Sequence, residues 1–494
     1  MSKHFKNLTV LKILDYYKDL WALSYVSSVA HWDLETYMPQ KGVVARGEAL
    51  GRLSTIRQKM FLDKNFVALI HKAQNEKNLN DYESAIVRVL LRSLDFYEKI
   101  PSNFLEKFEN LTNTATVIWR KAKEENSFEV FEKPLSDIFK MNKEMAEYLG
   151  YKDSAYDALL DLFEEDLTSK EVTNFFDEIK SPLSELLEGI VSSRNYLKAH
   201  KLESTKYDRL KMEALNQKVL KHFWNEMDRF RIDVSSHPFT TSFGNNDTRI
   251  TTWYHQTDFS RSLLATIHEF GHALYDLQSQ NELEMTPIAG GSSLVIHESQ
   301  SRFWENFIGR NDDFIKKFLS DFESVVGKKL SLEDVSLYFN KVSPSLLRVE
   351  ADEVTYHFHI MLRYEIEKGI IEGKIKVKDL PEIWNEKMNE YLGVSPKKDS
   401  EGVLQDIHWS GGSVGYFPTY SLGTFLGAQW ESKIKDLGLK GNDYSGTKSF
   451  LEKNIHKFGS TYTLKDLLKK NKMTFDPKVN IKYLQEKYRK LYKL

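Results

Sequence analysis

A helical rhythm of apolar residues runs through almost the whole chain, breaks in two places, and limits the fold more than any other feature. "LTVLKILDYYKDLWALSYVSSVAHW" (8–32) and "DYESAIVRVLLRSLDFYEKI" (81–100) repeat apolar residues at three- and four-residue intervals, the period that lines one face of an α-helix. "TSKEVTNFFDEIKSPLSELLEGIVSSR" (168–194) adds a start signal, since Thr168 and Glu171 can form a capping box. "SLEDVSLYFNKV" opens in the same way on Ser331. Such stripes must be buried against one another, which predicts a mainly α-helical fold.

The first break, "HPFTTSFGNNDTRITTWYH" (237–255), alternates β-branched and aromatic residues around Gly244-Asn245-Asn246-Asp247 and predicts a β-hairpin. The second is a glycine-rich segment from about 409 to 424, read as an ordered loop. "GVSPKKDSEG" (393–402) reads as an exposed connector. With no repeat, low-complexity tract or linker in its 494 residues, the chain is expected to form a single domain.

Composition removes several function classes. Lys+Arg 69 against Asp+Glu 71 leaves a net charge of -2, so nothing global recruits nucleic acid or an anionic membrane. Cysteine is absent, which excludes disulfides, thiolate nucleophiles and Cys-ligated metals; a metal would need His, Asp or Glu. The amphipathic start lacks the apolar block of a secretory signal, and the uncharged stretch 409–430 carries five glycines and a proline. The expectation is a cytoplasmic protein without membrane spans. A charged fraction of 28% with no cysteine also suits a thermostable chain.

"LLATIHEFGHALYDLQ" (263–278) carries the chemistry. At about 100° per residue, His268 and His272 lie roughly 40° apart and Glu269 about 100° from the first. Leu263, Ile267, Phe270, Leu274 and Leu277 fall on the opposite side of the wheel. Two imidazoles one turn apart can converge on one cation, with the offset glutamate reaching a coordinated water. Glu298, 26 residues after His272 on a second expected helix, is the candidate third ligand. Arg302 and Glu305 follow on the same face, either to orient the ligands or as an ordinary surface ion pair. Water coordinated to such a cation has a lowered pKa, and Glu269 is the base that would take its proton and return it to a leaving amine. The class is metal-assisted amide hydrolysis. A metal-binding scaffold without activity would not need Glu269 and would favour a fourth protein ligand.

The motifs around this helix resemble those of the thermostable-type metallocarboxypeptidases, peptidase family M32. They are HPF (237–239), DTRIT (247–251), HEFGH (268–272), HESQ (297–300), LRVEAD (347–352), GVLQDIHW (402–409) and GYFPTYSLG (415–423), in family order. Leu347 stands where the family shows Ile or Val. The resemblance implies a large helical deep-groove fold akin to angiotensin-converting enzyme and neurolysin. N-terminal helices (about 1–200) would roof a cleft floored by a catalytic part (about 201–494). It implies release of single C-terminal residues from peptides with broad specificity, a homodimer, and one zinc or cobalt ion held by His268, His272 and Glu298, with Glu269 as the base. An arginine must then hold the substrate carboxylate, and Arg348 is preferred to Arg249. By analogy His408 and Tyr420 would stabilise the oxyanion or substrate, while His237 and Gln405 would line the cleft. The hairpin could pair with the substrate backbone. An oligopeptidase that cuts internally is the alternative reading of the same motifs.

Overall fold

The computed structural model describes residues 3–291 and 293–494. Helices dominate, and among the described residues the one sheet has three strands. No described helix is long and apolar enough to cross a membrane. The chain divides into two compact units, each assembled from three separated segments.

The first unit comprises Met1–Asp95, Lys201–Ser336 and Trp430–Thr474. Its opening helix, Leu8–Thr36, is capped by Asn7, whose side chain accepts from the amides of Thr9 and Val10. The buried Glu83 carboxylate accepts from the amides of Lys6, Asn7 and Asn80 at 2.6, 2.7 and 3.1 Å, tying that start to a later helix, Asp81–Lys99. Val10, Ile13, Phe66, Ile70, Ile86 and Leu90 form a core with Leu283 and Ile288, two residues from far along the chain.

Strands β1 (Phe230–Val234), β2 (Thr240–Ser242) and β3 (Thr248–Thr252) make a sheet of order β1-β3-β2. The expected hairpin is β2–β3, antiparallel with Thr241 opposite Arg249. Its turn closes through Phe243 N–H to Asp247 O at 2.9 Å, with Gly244 at φ +134. β1 runs parallel to β3, a partner that local alternation does not announce because it comes from outside the hairpin.

The second unit comprises Phe96–His200, Leu337–Gln429 and Phe475–Leu494. Its helix Ser169–Ser192 begins with the predicted capping box, Thr168 and Glu171 each bonding the other's backbone. The helix Tyr356–Ile371 is buried along nearly its whole length. The glycine-rich segment corrects the sequence reading. A 3-10 turn (His408–Gly411) leads to a short loop, but a helix starts at Pro418 and runs to Asp436, so Tyr420 lies on a helix. Proline is pre-set for a first helical turn. Buried Phe425 and Leu426 then outweigh the cost of the nearby glycines, with Phe425 packed edge-on to Phe175 at 5.0 Å.

Candidate metal centre and surrounding site

The helix bearing the two histidines spans Phe259–Leu277, capped by Asp258 on the amides of Ser260 and Arg261. Its partly open positions are Arg261, Ala265, His268 and His272, spaced four, three and four apart. The wheel therefore separated the histidines from the core correctly. It understated how enclosed the helix is, because polar positions on other faces are buried through mutual hydrogen bonds. Thr266 donates to Thr252 and accepts from Asn216, both at 2.8 Å.

Gly271, inside HEFGH, permits the next step. A Cβ there would stand 2.5 Å from Gln300 O and 2.6 Å from Ser301 Cα. The helix Leu294–Arg302 can approach to backbone contact only because residue 271 has no side chain, and that helix carries Glu298. Glu298 Oε2 lies 3.7 Å from His268 Nε2 and 3.6 Å from His272 Nε2. The three donor atoms lie within 4.8 Å of one another.

Two imidazole nitrogens and one carboxylate oxygen suit zinc or a similar first-row cation. Bonds of about 2.0–2.1 Å in tetrahedral array place donors about 3.3–3.4 Å apart, close to the spacings found. The donors are also oriented from behind. His268 Nδ1 lies 2.9 Å from Glu305 Oε2, and donating to that carboxylate it turns Nε2 toward the cluster. His272 Nδ1 lies 2.7 Å from His297 Nδ1. Burial and the neighbouring His272 push His297 down to about 3. A neutral His297 can accept at Nδ1 from His272 Nδ1–H, an arrangement that turns His272 Nε2 toward the cluster.

Arg302 donates to Glu298 Oε1 at 2.8 Å and to Glu305 Oε2 at 2.9 Å, and Arg310 reaches Glu305 Oε1 at 2.9 Å. Burial raises the pKa of Glu298, yet the neighbouring positive charge, Arg302 first, outweighs it and holds the carboxyl far below its ordinary range. Glu305 behaves alike, with Arg302, His268 and Arg310 overcoming burial. Arg302, largely enclosed, and Glu305, buried, are thus partners of the ligand set, not a surface pair. Arg310 escaped sequence reading because it sits five residues after Glu305 across the π-helical turn Phe303–Gly309, and that spacing shares a face only in such a turn.

Glu269 is buried beside the ligands in sequence, and Thr240 of β2 donates to its Oε2 at 2.6 Å and to its backbone carbonyl at 3.0 Å. Thr240 went unnoticed in the sequence, although it follows HPF directly. Arg249 is engaged by Asp247 through two bonds of 2.8 and 2.7 Å. His237 is exposed and faces its own neighbour, Nδ1 lying 3.0 Å from Pro238 O.

In the second unit, Arg348, Gln405, His408 and Tyr420 come together. Arg348 donates from Nε to Asp406 Oδ1 at 3.0 Å and from Nη1 to Tyr356 OH at 3.2 Å, and its guanidinium lies 5.1 Å from the Tyr420 ring centre. Arg363 also grips Asp406, through Nε at 2.7 Å. Burial pushes Asp406 up, but the two guanidinium groups hold it far below the usual carboxylate range. Gln405 accepts from Arg348 N–H at 2.9 Å and donates to Leu346 O and Glu401 O. His408 Nε2 lies 3.2 Å from Tyr420 OH, with Nδ1 3.9 Å from Asp406. Asp406 and Arg363 were missed, though Asp406 lies inside the GVLQDIHW motif.

The family model described as carboxypeptidase Taq (M32) metallopeptidase matches residues 12–488. The chain is 44% identical to thermostable carboxypeptidase 1 of Pyrococcus furiosus, covering 99% of this chain and 100% of that one. It is 35% identical to carboxypeptidase 1 of Bacillus subtilis, over 98% of each. The solved Pyrococcus furiosus carboxypeptidase superposes with a TM-score of 0.95 over 98% of this chain and all of that one. An M32 carboxypeptidase from Deinococcus radiodurans gives 0.94 at 26% identity, over 99% of this chain and all of that one. The chain belongs to the carboxypeptidase Taq (M32) metallopeptidase family and is a metallocarboxypeptidase.

Proposed function

We propose that this chain releases single C-terminal residues from peptides with broad side-chain tolerance, with His268, His272 and Glu298 holding one divalent cation and Glu269 as general base. The observation that carries the reading is the donor trio, three ligands with no fourth among the described residues, together with Glu269, next to His268 in sequence, whose carboxylate accepts from Thr240. An open coordination position is what separates a catalytic from a structural site. When bound, the cation supplies Lewis acidity and a water that is nucleophilic at neutral pH. Glu269 would take the proton of the attacking water on its carboxylate and hand it to the departing amine. Thr240 fixes the Oε2 edge, so the proton is handled from a set orientation.

Arg348 is assigned to the substrate carboxylate. Arg348 shares the carboxylate of Asp406 with Arg363, and its planar fork suits a second carboxylate. Arg249 is the second candidate, and its fork is already matched by Asp247. His408 and Tyr420, both hydrogen-bond donors, are assigned to the developing oxyanion. Gln405 and His237 are lesser candidates for lining the peptide's path, and β2, an edge strand, for pairing with its backbone. The family resemblance supports zinc or cobalt as the cation, a homodimer and a cytoplasmic location.

The test compares a peptide acid with its C-terminal amide. Release of single residues from the acid and none from the amide supports the reading. Equal cleavage of both, or internal cuts, would replace it with an oligopeptidase.

A further inference from the structure

The carboxylate of Glu367 is fully buried, and the chemistry above does not use it. It lies on the helix Tyr356–Ile371, one turn after Arg363. It accepts from Trp409 Nε1 at 2.6 Å on one oxygen, and from Tyr156 OH at 2.6 Å and Gly415 N–H at 2.9 Å on the other. Such a group is kept in a core only when its acceptor sites are filled.

Two of these donors belong to the loop that carries His408. On one side of His408, Asp406 is gripped by Arg363; on the other, Trp409 and Gly415 are gripped by Glu367. One helix therefore holds both flanks of the loop, from positions 363 and 367. Nor has the loop room to shift. Gly415 has φ +97, and a Cβ there would lie 2.8 Å from the backbone of Leu159; at Gly412, with φ +81, it would lie 2.5 Å from the Phe108 ring.

We propose that Glu367 is a positioning residue for His408, fixing through Trp409 and Gly415 the loop that presents this donor to the reacting carbonyl, 3.2 Å from Tyr420 OH on the helix that follows. The proposal rests on the reading of His408 and Tyr420 given above. Glutamine at 367 keeps the volume but has one acceptor oxygen, so its NH2 must meet either the Trp409 or the Gly415 N–H. A small misplacement of His408 should follow, with a loss on the order of tenfold to a hundredfold in kcat and little change in KM.

The experiment is a double-mutant cycle on the metal-loaded enzyme with a peptide acid, using E367Q, H408A and both together. The Trp409 indole N–H resonance, assigned with W409F, and the Gly415 amide resonance report which bond is broken. Expected are a shift of one of these two resonances in E367Q, a kcat loss in each single variant, and little further loss from E367Q once His408 is gone. Losses that multiply, or an E367Q enzyme of normal kcat beside an impaired H408A, overturn the role of Glu367. A normal kcat in H408A instead sinks the reading of His408, and the proposal with it. Should E367Q not fold, W409F removes one of the loop's two bonds to Glu367 and enters the same cycle with H408A, where multiplying losses again overturn the proposal.

Discussion

Replacing Gly271 by alanine tests whether the ligand geometry depends on backbone contact between two helices. The new Cβ would lie 2.5 Å from Gln300 O and 2.6 Å from Ser301 Cα, both main-chain atoms that no rotamer can move aside. Ordinary contact begins near 3.4 Å, so the helices must part by about 0.8 Å. Glu298 travels with Gln300 and Ser301. Its oxygen, now 3.6–3.7 Å from the two imidazole nitrogens, would recede by a similar amount, whereas metal–ligand bonds tolerate about 0.2 Å. The expected outcome is a stability loss of about 1–3 kcal/mol from overpacking. Metal affinity should fall by on the order of tenfold to a hundredfold, the range seen when ligand orientation is disturbed. Chelator competition gives the affinity and urea unfolding gives the stability. Gly51→Ala is the control, since its added Cβ meets nothing within 4 Å on the helix Val43–Phe61, and it should stabilise by about 0.5–1 kcal/mol. A G271A protein with unchanged metal affinity would refute the argument that this glycine sets the ligand spacing.

Glu269→Gln should keep one metal per chain by elemental analysis while kcat falls by on the order of 10²–10⁴; unchanged turnover would remove the proposed base. Arg302→Met leaves Glu298 and Glu305 buried beside each other, and urea unfolding of the metal-stripped protein should show a loss of about 3 kcal/mol. A change below about 0.5 kcal/mol would return the pair to the surface class. Burial pushes Glu367 up to about 7 from an ordinary 4.5. The folded value lies above the unfolded one, so the proton favours folding: the stabilisation is complete below about pH 4.5, fades as pH rises toward 7, and is gone above. The difference amounts to about 3 kcal/mol at 1.36 kcal/mol per pH unit, and E367Q should flatten that part of the stability profile. Parallel profiles for both proteins would contradict it.

The sequence was legible where one local rule dominated. The capping box at Thr168, the hairpin turn at Gly244 and the HEFGH wheel each depend on residues a few positions apart, so spacing alone describes them. Features that depend on what the tertiary structure brings near were not legible. β1 pairs with a strand 18 positions further on, and the helix at Pro418 is chosen by the packing of Phe425 against its glycines. Arg310 needed a π-helical turn that no periodicity announces. The motifs rank Arg348 before Arg249; the physical difference lies in partners, one sharing an aspartate and the other owning one.

Leu283 and Ile288, on the connection between the two ligand helices, complete a core otherwise built from the first 95 residues or so. A ribosome therefore exposes those opening helices long before their last neighbours exist. At roughly 5–20 residues per second, nearly two hundred further residues take about ten to forty seconds to emerge. Over that interval the N-terminal helices carry an unfilled apolar notch, the sort of surface that chaperones bind. The segment that ends the wait also joins the two halves of the donor set, so in a nascent chain the start of the protein becomes fully buried only as the metal ligands come within reach of one another.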